Sequence, residues 1–427
     1  MVRARTIVRK LSSVETLGAV DVVCSDKTGT LTQNRMTVTE CYLDGKMVER
    51  EKFSRLFTNQ LWQDTEWEKN GKAHFLLGCI LCNDGISSKE GGFGDPTEMA
   101  LIHMAEECGL SVDDIRSRFP RKEEKGFDSE RKMMTTSHMI KGGVQGSHMN
   151  AYSKGAAEKI LERCAYFFQN GRKCALRDGD RTALLRVLDG LMNEGRRVLA
   201  VAMKQDGGLQ ESDMVFLGFV SMQDPVRPEA VEAVEEFRRA GVSTVMITGD
   251  HQNTAFSIAR ELGIASLPEE CVSGRELDGM EESVFLKKLP RLKVFARVTP
   301  EHKVRIVKGF QKLDKTAAMT GDGVNDAPSL QAADIGIAMG KNGTDVARNA
   351  ADFVLMDDNF ATIHLAIKEG RGIYENIRKS VLFLLSSNLG EIMTMLVTII
   401  ARFPSPLKAS FILWINLITD SFPALAL

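Results

Sequence analysis

Apolar and charged stretches alternate over about the first 370 residues, and the pattern changes beyond them. Three apolar runs in this part, residues 21–26, 242–247 and 316–320, end in an acid or in Thr-Gly-Asp before a turn. Continuous apolar strands of this length are typical of the buried interior of a parallel sheet. Helical patterns lie between them, one ending at Gly241 and one beginning at Pro300. The pattern predicts a doubly wound α/β domain, with an active site outside the carboxyl ends of its strands.

A long insertion separates the first of these strands from the other two. Residues 40–212 contain their own mixture of helical and strand patterns, and they are too numerous for a loop. The sequence therefore predicts a second, inserted α+β domain, with a hinge near residues 37–39 and Asp224–Pro225. The predicted division is 1–39 and 213–367 for the α/β domain, 40–212 for the insertion and 368–427 for a helical end.

Two stretches near the end of the sequence are long, apolar and almost uncharged. Residues 381–400 and 411–427 carry one charge each. At 1.5 Å per residue, both are long enough for a hydrocarbon core of about 30 Å, the second only just. A short joint with two prolines predicts a transmembrane helical hairpin, and the basic residues at 368–379 place the preceding domains in the cytoplasm. The alternative is a buried hairpin in a soluble core.

Composition narrows the classes of function. A chain of 427 residues predicts about three units. The net charge of −2 gives no global basic field, so no nucleic-acid partner is expected. The eight cysteines are interpreted as reduced thiols. Cys79 and Cys82 have metal-site spacing, but two further ligands at matching spacing are missing, which favours a buried helix.

Residues at the strand ends have the chemistry of phosphoryl transfer. Asp26 ends the first apolar run, and the carboxylate of an aspartate can attack phosphorus. Asp322 and Asp326 offer the hard oxygen ligands that Mg²⁺ prefers. Lys303 supplies a positive charge and Thr248 a hydroxyl donor for the oxygens of the transferred group. Each feature alone is a weak signal, but together and in this order they indicate a phosphoryl-transfer site.

The segments CSDKTGTLTQNRM, MITGD and MTGDGVNDAPSL resemble those of P-type cation ATPases, which have a haloacid dehalogenase-like fold. The resemblance implies that Asp26 is the phosphorylated nucleophile. It also implies that Asp26, the backbone carbonyl of Thr28 and Asp322 hold Mg²⁺. The residues that complete the phosphorylation site by this resemblance are Lys27, Thr248, Gly249, Asp250, Lys303, Asn325 and Asp326.

The insertion then resembles the nucleotide-binding domain of this family. The resemblance implies an aromatic ring stacked on adenine, a lysine at the base of the adenine pocket, a glutamate for the adenine amino group and an arginine for phosphate: Phe127, Lys154, Glu98 and Arg197. Arg197 is chosen over Arg196 from its spacing to the following LAVA. Asp224 and Arg227, in DPVRPE, are assigned to ATP binding in the same way. Without the resemblance, the aromatic residue would be a core residue and the lysine a solvated residue at a helix start.

The predicted membrane spans contain oxygen ligands. Asn388 and Glu391 share one face of the first span, and Asn416, Thr419 and Asp420 share one face of the second. Such ligands suit a hard cation. SSNLGE and WINLITDSFPALAL resemble the ion-binding helices of sarcoplasmic-reticulum-type (type II) calcium pumps, including the glutamate that single-site secretory-pathway pumps lack. Sodium–potassium and proton pumps remain alternatives, as does a cluster that only holds the helices together.

The sequence thus predicts the ATP-binding and phosphorylation half of a membrane enzyme that transports calcium, similar to pumps of the bacterial plasma membrane. Compared with the family, the first four membrane helices, the actuator domain and everything after the sixth helix are absent from this sequence. We therefore expect that the chain alone does not transport and that the missing half is its partner. Two other classes remain: a soluble phosphohydrolase of the same fold, and a non-catalytic nucleotide-binding partner of a full-length pump.

Overall fold

A computed structural model of the chain describes residues 5–10, 13–58, 61, 67–87, 92–143, 146–169, 171–206, 208–402 and 408–420. In these ranges the strands are β1 (Thr6–Val8), β2 (Val22–Asp26), β3 (Thr37–Leu43), β4 (Lys46–Glu49), β5 (Arg121–Asp128), β6 (Met133–Gly143), β7 (Gly146–Ala156), β8 (Cys164–Gln169), β9 (Arg172–Ala175), β10 (Arg197–Gln205), β11 (Met214–Gln223), β12 (Ser243–Ile247), β13 (Cys271–Ser273), β14 (Val294–Ala296), β15 (Ala317–Gly321), β16 (Ile335–Met339) and β17 (Phe353–Leu355). The helices are α1 (Ser13–Gly18), α2 (Phe53–Leu56), α3 (Gly71–Leu81), α4 (Pro96–Glu107), α5 (Val112–Arg118), α6 (Ala157–Glu162), α7 (Asp178–Asn193), α8 (Pro228–Arg239), α9 (Gln252–Glu261), α10 (Gly274–Asp278), α11 (Glu282–Lys288), α12 (Pro300–Gln311), α13 (Ala327–Ala332), α14 (Asp345–Ala350), α15 (Phe360–Ile400) and α16 (Ala409–Trp414).

The contacts divide the chain into two compact units. The first consists of Met1–Leu31, Pro228–Gly249 and Leu262–Leu427, and the second of Thr32–Arg227 with Asp250–Glu261. This division differs from the predicted boundaries at 40 and 212. The reason is that β3 and β11 pair with each other, Val38 opposite Met222, so both strands belong to the sheet of the second unit.

The first unit contains the predicted parallel sheet. Its strand order is β1-β17-β16-β15-β2-β12-β14-β13, and β2 lies between β12 and β15, parallel to both. These are the three strands predicted from the apolar runs. Asp26 pairs with Ile247 in register and Ser25 with Thr320, so the three carboxyl ends lie at one edge. The doubly wound α/β prediction is confirmed.

Two helices of this unit show why the sequence folds this way. The buried side of α8 is formed by Ala230, Ala233, Val234 and Phe237, a spacing that repeats on one face of a helix. Helix α12 begins at Pro300, as predicted, because proline fits the first helical position, whose amide has no partner in the helix. This start brings Lys303 to the first turn of α12, next to the strand ends.

The second unit is built on an antiparallel sheet with the order β4-β3-β11-β10-β7-β6-β5; β8 adds to β11 in parallel, and β9 pairs with β8. Helices α3 and α4 contribute to a core on one face, and α6 and α7 to a core on the other. Cys79 and Cys82 are buried on the α3 side. Burial raises the pKa of the Cys79 thiol to about 12, which keeps it protonated. The two cysteines therefore pack as small apolar residues, as predicted.

Helix α15 extends over 41 residues. Its first part is buried against the first unit, and Arg371 donates to the carbonyl oxygens of Gly18 and Ala240 at 3.3 and 3.1 Å. Its later part is exposed, and the helix is long and apolar enough to cross a membrane. Residues 403–407 and 421–427 lie outside the described part of the chain, so the hairpin with a second span stays a prediction.

Candidate active site

Asp26 is the last residue of β2, and its loop fixes the carboxylate. The Lys27 amide donates to Asp26 Oδ1 at 2.7 Å. Gly29 has a φ of 72°, a left-handed conformation that glycine adopts without strain. A Cβ atom at this position would also lie 3.2 Å from Asp322 Oδ2. The glycine thus permits both the turn after Asp26 and the close approach of Asp322.

Lys303 joins two carboxylates of the cluster. Its Nζ donates to Asp26 Oδ2 at 2.5 Å and to Asp326 Oδ1 at 2.7 Å. The other oxygen of Asp326 accepts from the amides of Asp322 and Gly323 at 3.2 and 3.0 Å. Lys303 and Asp326 are buried. Both are therefore positioned by contacts on more than one side.

The donor set fits a divalent cation. Carboxylate oxygens of Asp26, Asp322 and Asp326 all lie within 4.8 Å of one another. Among the described residues, this is the group of acidic, histidine or cysteine side chains that is close enough to hold a metal ion. Three carboxylates facing one ammonium group leave an excess of negative charge, and oxygen ligands suit Mg²⁺.

The crowding of carboxylates also changes their protonation. Burial, together with the charges of Asp26 and Asp326, raises the pKa of Asp322 to about 6. The pKa of Asp26 is raised by burial and by Asp326, although Lys303 opposes the shift. Burial lowers the pKa of Lys303, but the two carboxylates outweigh it, so the net shift is upward. Lys303 is therefore charged at neutral pH.

Thr248 and Gly249 directly follow β12. Thr248 is buried, and its amide donates to the Phe295 carbonyl at 2.9 Å. Asn325 is exposed in the short turn before Asp326. Asp250 belongs to the segment grouped with the second unit.

The second unit contains a cavity of about 300 Å³. Its lining contains the four residues assigned to adenine and phosphate, and the whole set is Asp84, Asp95, Thr97, Glu98, Phe127, Met134, Lys154, Gly155, Arg197 and Leu199. Phe127 is 68% exposed, so the alternative that it is a core residue is wrong. Lys154 is 6% exposed, so it is not a solvated lysine either.

Polar contacts organise one wall of this cavity. Lys154 Nζ donates to Glu98 Oε1 at 2.9 Å, and the Asp84 amide donates to Glu98 Oε2 at 3.2 Å. Asp95 caps α4 by accepting from the Thr97 amide at 2.8 Å. Burial raises the pKa of Asp95, but the hydrogen bonds from Thr97 lower it further, so the net shift is downward. The sequence analysis missed Asp84, Asp95 and Thr97, although the last two stand beside Glu98 in GDPTE.

The structure separates the two neighbouring arginines. Arg197 lines the cavity. Arg196 forms ion pairs with Glu40 and Glu194, each at 2.7 Å. The arginine chosen from sequence spacing is thus the one that lines the cavity.

Asp224 and Arg227 lie where the chain leaves the antiparallel sheet. Asp224 accepts from Thr32 Oγ1 at 2.5 Å and from the Arg35 amide at 3.1 Å, and Arg227 Nε donates to the Thr32 carbonyl at 2.9 Å. These hydrogen bonds tie residues 224–227 to residues 32–35. Neither Asp224 nor Arg227 lines the cavity.

Asn388 and Glu391 are three residues apart on α15, as predicted. Asn416, Thr419 and Asp420 lie in the helical turn Ile415–Asp420 after α16, but their side chains are outside the described atoms. The grouping of the five predicted cation ligands therefore stays a prediction.

A doubly wound sheet with a strand-end carboxylate cluster, carrying an inserted antiparallel domain, defines the haloacid dehalogenase-like class. Residues 72–229 match the family model described as P-type ATPase, cytoplasmic domain N. Calcium-transporting ATPase 1 of Bacillus cereus is 44% identical over 434 residues, which cover 100% of this chain and 47% of that protein. Calcium-transporting ATPase type 2C member 1 of Homo sapiens is 40% identical over 433 residues, covering 100% of this chain and 46% of that protein.

A solved structure shares the fold. A crystal structure of a zinc-transporting PIB-type ATPase in the E2.Pi state aligns with a TM-score of 0.64 and 24% identity, over 100% of this chain and 51% of that chain. Along its whole length, the chain is similar in sequence to calcium-transporting ATPases. It spans about half the length of the curated relatives it matches.

Proposed function

We propose that this chain is the ATP-binding and phosphorylation part of an ATP-driven calcium pump, in which Asp26 accepts the γ-phosphoryl group of ATP. The observation that carries the proposal is the buried cluster in which Lys303 joins Asp26 to Asp326 beside Asp322. The names of the relatives, calcium-transporting ATPases, support the choice of ion.

The chemistry follows from the positions of these groups. An oxygen of Asp26 attacks the γ-phosphorus, a new O–P bond forms, and the P–O bond to ADP breaks with its electron pair on ADP. Lys303 places positive charge next to the attacking carboxylate, where charge on the transferred oxygens is stabilised. Asp26, Asp322 and the carbonyl of Thr28 would hold Mg²⁺, which neutralises phosphoryl oxygens when it is bound. Asp326 holds Lys303 in place, and Thr248, Gly249, Asp250 and Asn325 complete the proposed site.

The cavity of the second unit is the proposed adenine site. Phe127 presents an exposed ring on which a base can stack. Glu98 and Lys154 form the polar base of the cavity, and Arg197 supplies a charge for phosphate. Asp224 and Arg227, which contact Thr32 where the chain leaves β11, are proposed to contribute to ATP binding.

For the transported Ca²⁺ we propose ligands from Asn388, Glu391, Asn416, Thr419 and Asp420. Calcium takes six to eight oxygens, about the number that these five side chains and further helices would supply together. The chain is thus proposed to work in a membrane, for which the bacterial relatives suggest the plasma membrane, together with the remaining half of a pump.

The test is acid-stable labelling of the detergent-solubilised chain with γ-labelled ATP and Mg²⁺, with and without Ca²⁺. Hydroxylamine-sensitive label is expected in the wild type and none in Asp26→Asn. Asp21→Asn is the matched control, because Asp21 directly precedes the same strand and accepts from the Thr316 amide at 3.0 Å instead. Label that persists in Asp26→Asn, or ATP binding without any label, contradicts the proposal.

A further inference from the structure

Glu211 lies in the connection between β10 and β11, and its carboxylate is surrounded by cations. Arg163 Nη1 donates to its Oε2 at 2.8 Å, and Lys125 Nζ does so at 3.4 Å. Arg131 Nη1 donates to Oε1, which also accepts from Thr135 Oγ1 at 2.9 Å. The Glu211 side chain is 6% exposed. One buried carboxylate thus holds three basic side chains from three different parts of the sheet and its helices.

Arg131 connects this carboxylate to the cavity. Its Nη2 donates to the carbonyl oxygen of Gly126 at 2.7 Å, and Gly126 directly precedes Phe127. On the other side of Phe127, Asp128 Oδ1 accepts from the amides of Glu130 and Arg131 at 2.9 and 2.8 Å. The end of β5, which carries Phe127, is therefore fixed by Arg131 through both its side chain and its backbone.

Phe127 needs this support because it receives little from packing. Its ring is 68% exposed, so few neighbours limit its orientation. A stacking ring contributes to binding in proportion to how well it is held in the stacking orientation beforehand. The backbone at the end of β5 is what sets the direction of the ring.

Arg163 links the same carboxylate to α6. It directly follows this helix, which begins two residues after Gly155, a residue of the cavity lining. Without the carboxylate, Lys125, Arg131 and Arg163 would lose their shared counter-charge, and these like charges would move apart. The end of β5 would then lose its anchor.

We propose that Glu211 is a positioning residue for nucleotide binding, which acts through Arg131 to hold the end of β5, and with it Phe127, in the orientation that stacks on a base. The inference rests on the proposed function, since it takes the cavity as the adenine site. Burial raises the pKa of Glu211, but hydrogen bonds from Thr135 and Arg131 and the nearby positive charges lower it further. The carboxylate is therefore ionised at neutral pH, as this role requires.

The experiment measures equilibrium binding of ATP and of inorganic tripolyphosphate to the full chain in detergent by calorimetry. The variants are Glu211→Gln, Phe127→Ala and the double variant. Glu107→Gln is the control for the same chemical change elsewhere: it removes the charge of a glutamate that forms an exposed two-bond ion pair with Arg50, at the far end of α4 from the cavity. The thermal midpoint of each variant shows whether it is folded.

Base stacking is worth roughly 1–3 kcal/mol, so a loss of about five- to tenfold in ATP affinity is expected for Glu211→Gln. Tripolyphosphate affinity should be unchanged, and Glu107→Gln should leave both unchanged. In the Phe127→Ala background, Glu211→Gln should weaken ATP binding by less than about twofold, because residues that act as one unit are not additive. If Glu211 only stabilised the fold, Glu211→Gln would lower the affinities for ATP and for tripolyphosphate alike, and its effect on ATP binding would add to that of Phe127→Ala.

Two results separate the possible failures. If Phe127→Ala weakens ATP binding and Glu211→Gln does not, or if the two losses add in full, the positioning role is wrong and the adenine site stands. If the folded wild-type chain binds no ATP, or if Phe127→Ala binds ATP as well as the wild type, the assignment of the cavity is wrong and the inference falls with it.

Discussion

Removing the charge of Lys303 should destabilise the first unit in a manner that depends on pH. In Lys303→Met the aliphatic stem stays, but Asp26 and Asp326 lose the donor that lies 2.5 and 2.7 Å from their oxygens. At an effective dielectric constant of ~20, each contact corresponds to about 6 kcal/mol of Coulomb attraction before the cost of desolvation. After desolvation, removing one partner of a buried ion pair typically costs about 3–5 kcal/mol.

Proton uptake limits this loss at low pH. The pKa of Asp322 is already about 6 and that of Asp26 is raised, and without the positive charge of Lys303, which lowers both, these two carboxyl groups hold protons more tightly still. The folded variant then binds more protons than its unfolded chain, so its unfolding free energy rises as pH falls. The slope is about 1.4 kcal/mol per pH unit for each proton taken up. We therefore expect the full loss at pH 8 and a much smaller one at pH 5.

Native-state hydrogen exchange of the full chain, followed by mass spectrometry of peptides from β2 and β15, measures this loss where it occurs. Lys312→Met, directly after the same helix, is the matched control. It removes an exposed pair with Glu282 at 2.7 Å, which should contribute little to stability because solvent screens exposed charges. Equal protection in Lys303→Met and the wild type, or a loss of the same size at pH 5 and pH 8, would refute the reasoning.

Three further predictions follow from the same geometry. Asp322, whose pKa is about 6, must lose its proton to bind a cation, so Mg²⁺ affinity should fall up to about tenfold per pH unit below pH 6. Calorimetric titrations that give the same Mg²⁺ affinity at pH 5 and pH 7 would contradict this. Gly29→Ala should suppress phosphorylation far more than Gly45→Ala. Both variants place a side chain at positive φ, at a cost of roughly 1–2 kcal/mol, but only at Gly29 does a carboxylate oxygen lie 3.2 Å from the added carbon. Equal phosphate labelling of the two variants would be evidence against this reasoning. Arg197→Ala should weaken ATP binding about tenfold, because Arg197 lines the cavity. Arg196→Ala should change ATP affinity less than about twofold and lower the thermal midpoint instead, since Arg196 pairs with Glu40 and Glu194. The opposite pattern would reverse the assignment of the two arginines.

The centre of the first unit could be predicted because its signal is local. Each of β2, β12 and β15 is a continuous apolar run, and such runs pair in parallel when both faces are buried. Parallel pairing places all carboxyl ends at one edge, so Asp26 and Asp322 had to lie near each other. The 2.5 Å contact from Lys303 could not be predicted, because it depends on how α12 packs on the sheet.

The boundary of the second unit could not be located from the same signal. Strand β11 reads as one apolar run, which is typical of a parallel strand, but it belongs to an antiparallel sheet covered on both faces. Val215 and Leu217 face the core beside α3, while Met214 and Phe216 face the core beside α6. Two-sided burial removes the alternation that would have marked the strand as antiparallel. Glu211 gave no signal at all, since one glutamate in a polar connection has no local pattern.

The charges of the two sites assign them different parts of the work. The cluster at Asp26 has three carboxylates and one ammonium group, a formal charge of −2 that repels a phosphate. Only a divalent cation would bring this sum to zero, so under the proposed function we expect the γ-phosphoryl group to approach Asp26 as its magnesium complex. In the cavity, by contrast, Glu98 and Lys154 balance each other, and Phe127 offers an uncharged face. If the cavity is the adenine site, as proposed, binding of the base there needs no metal. We therefore expect nucleotide affinity and phosphorylation to depend on separate residues and to be lost separately by mutation.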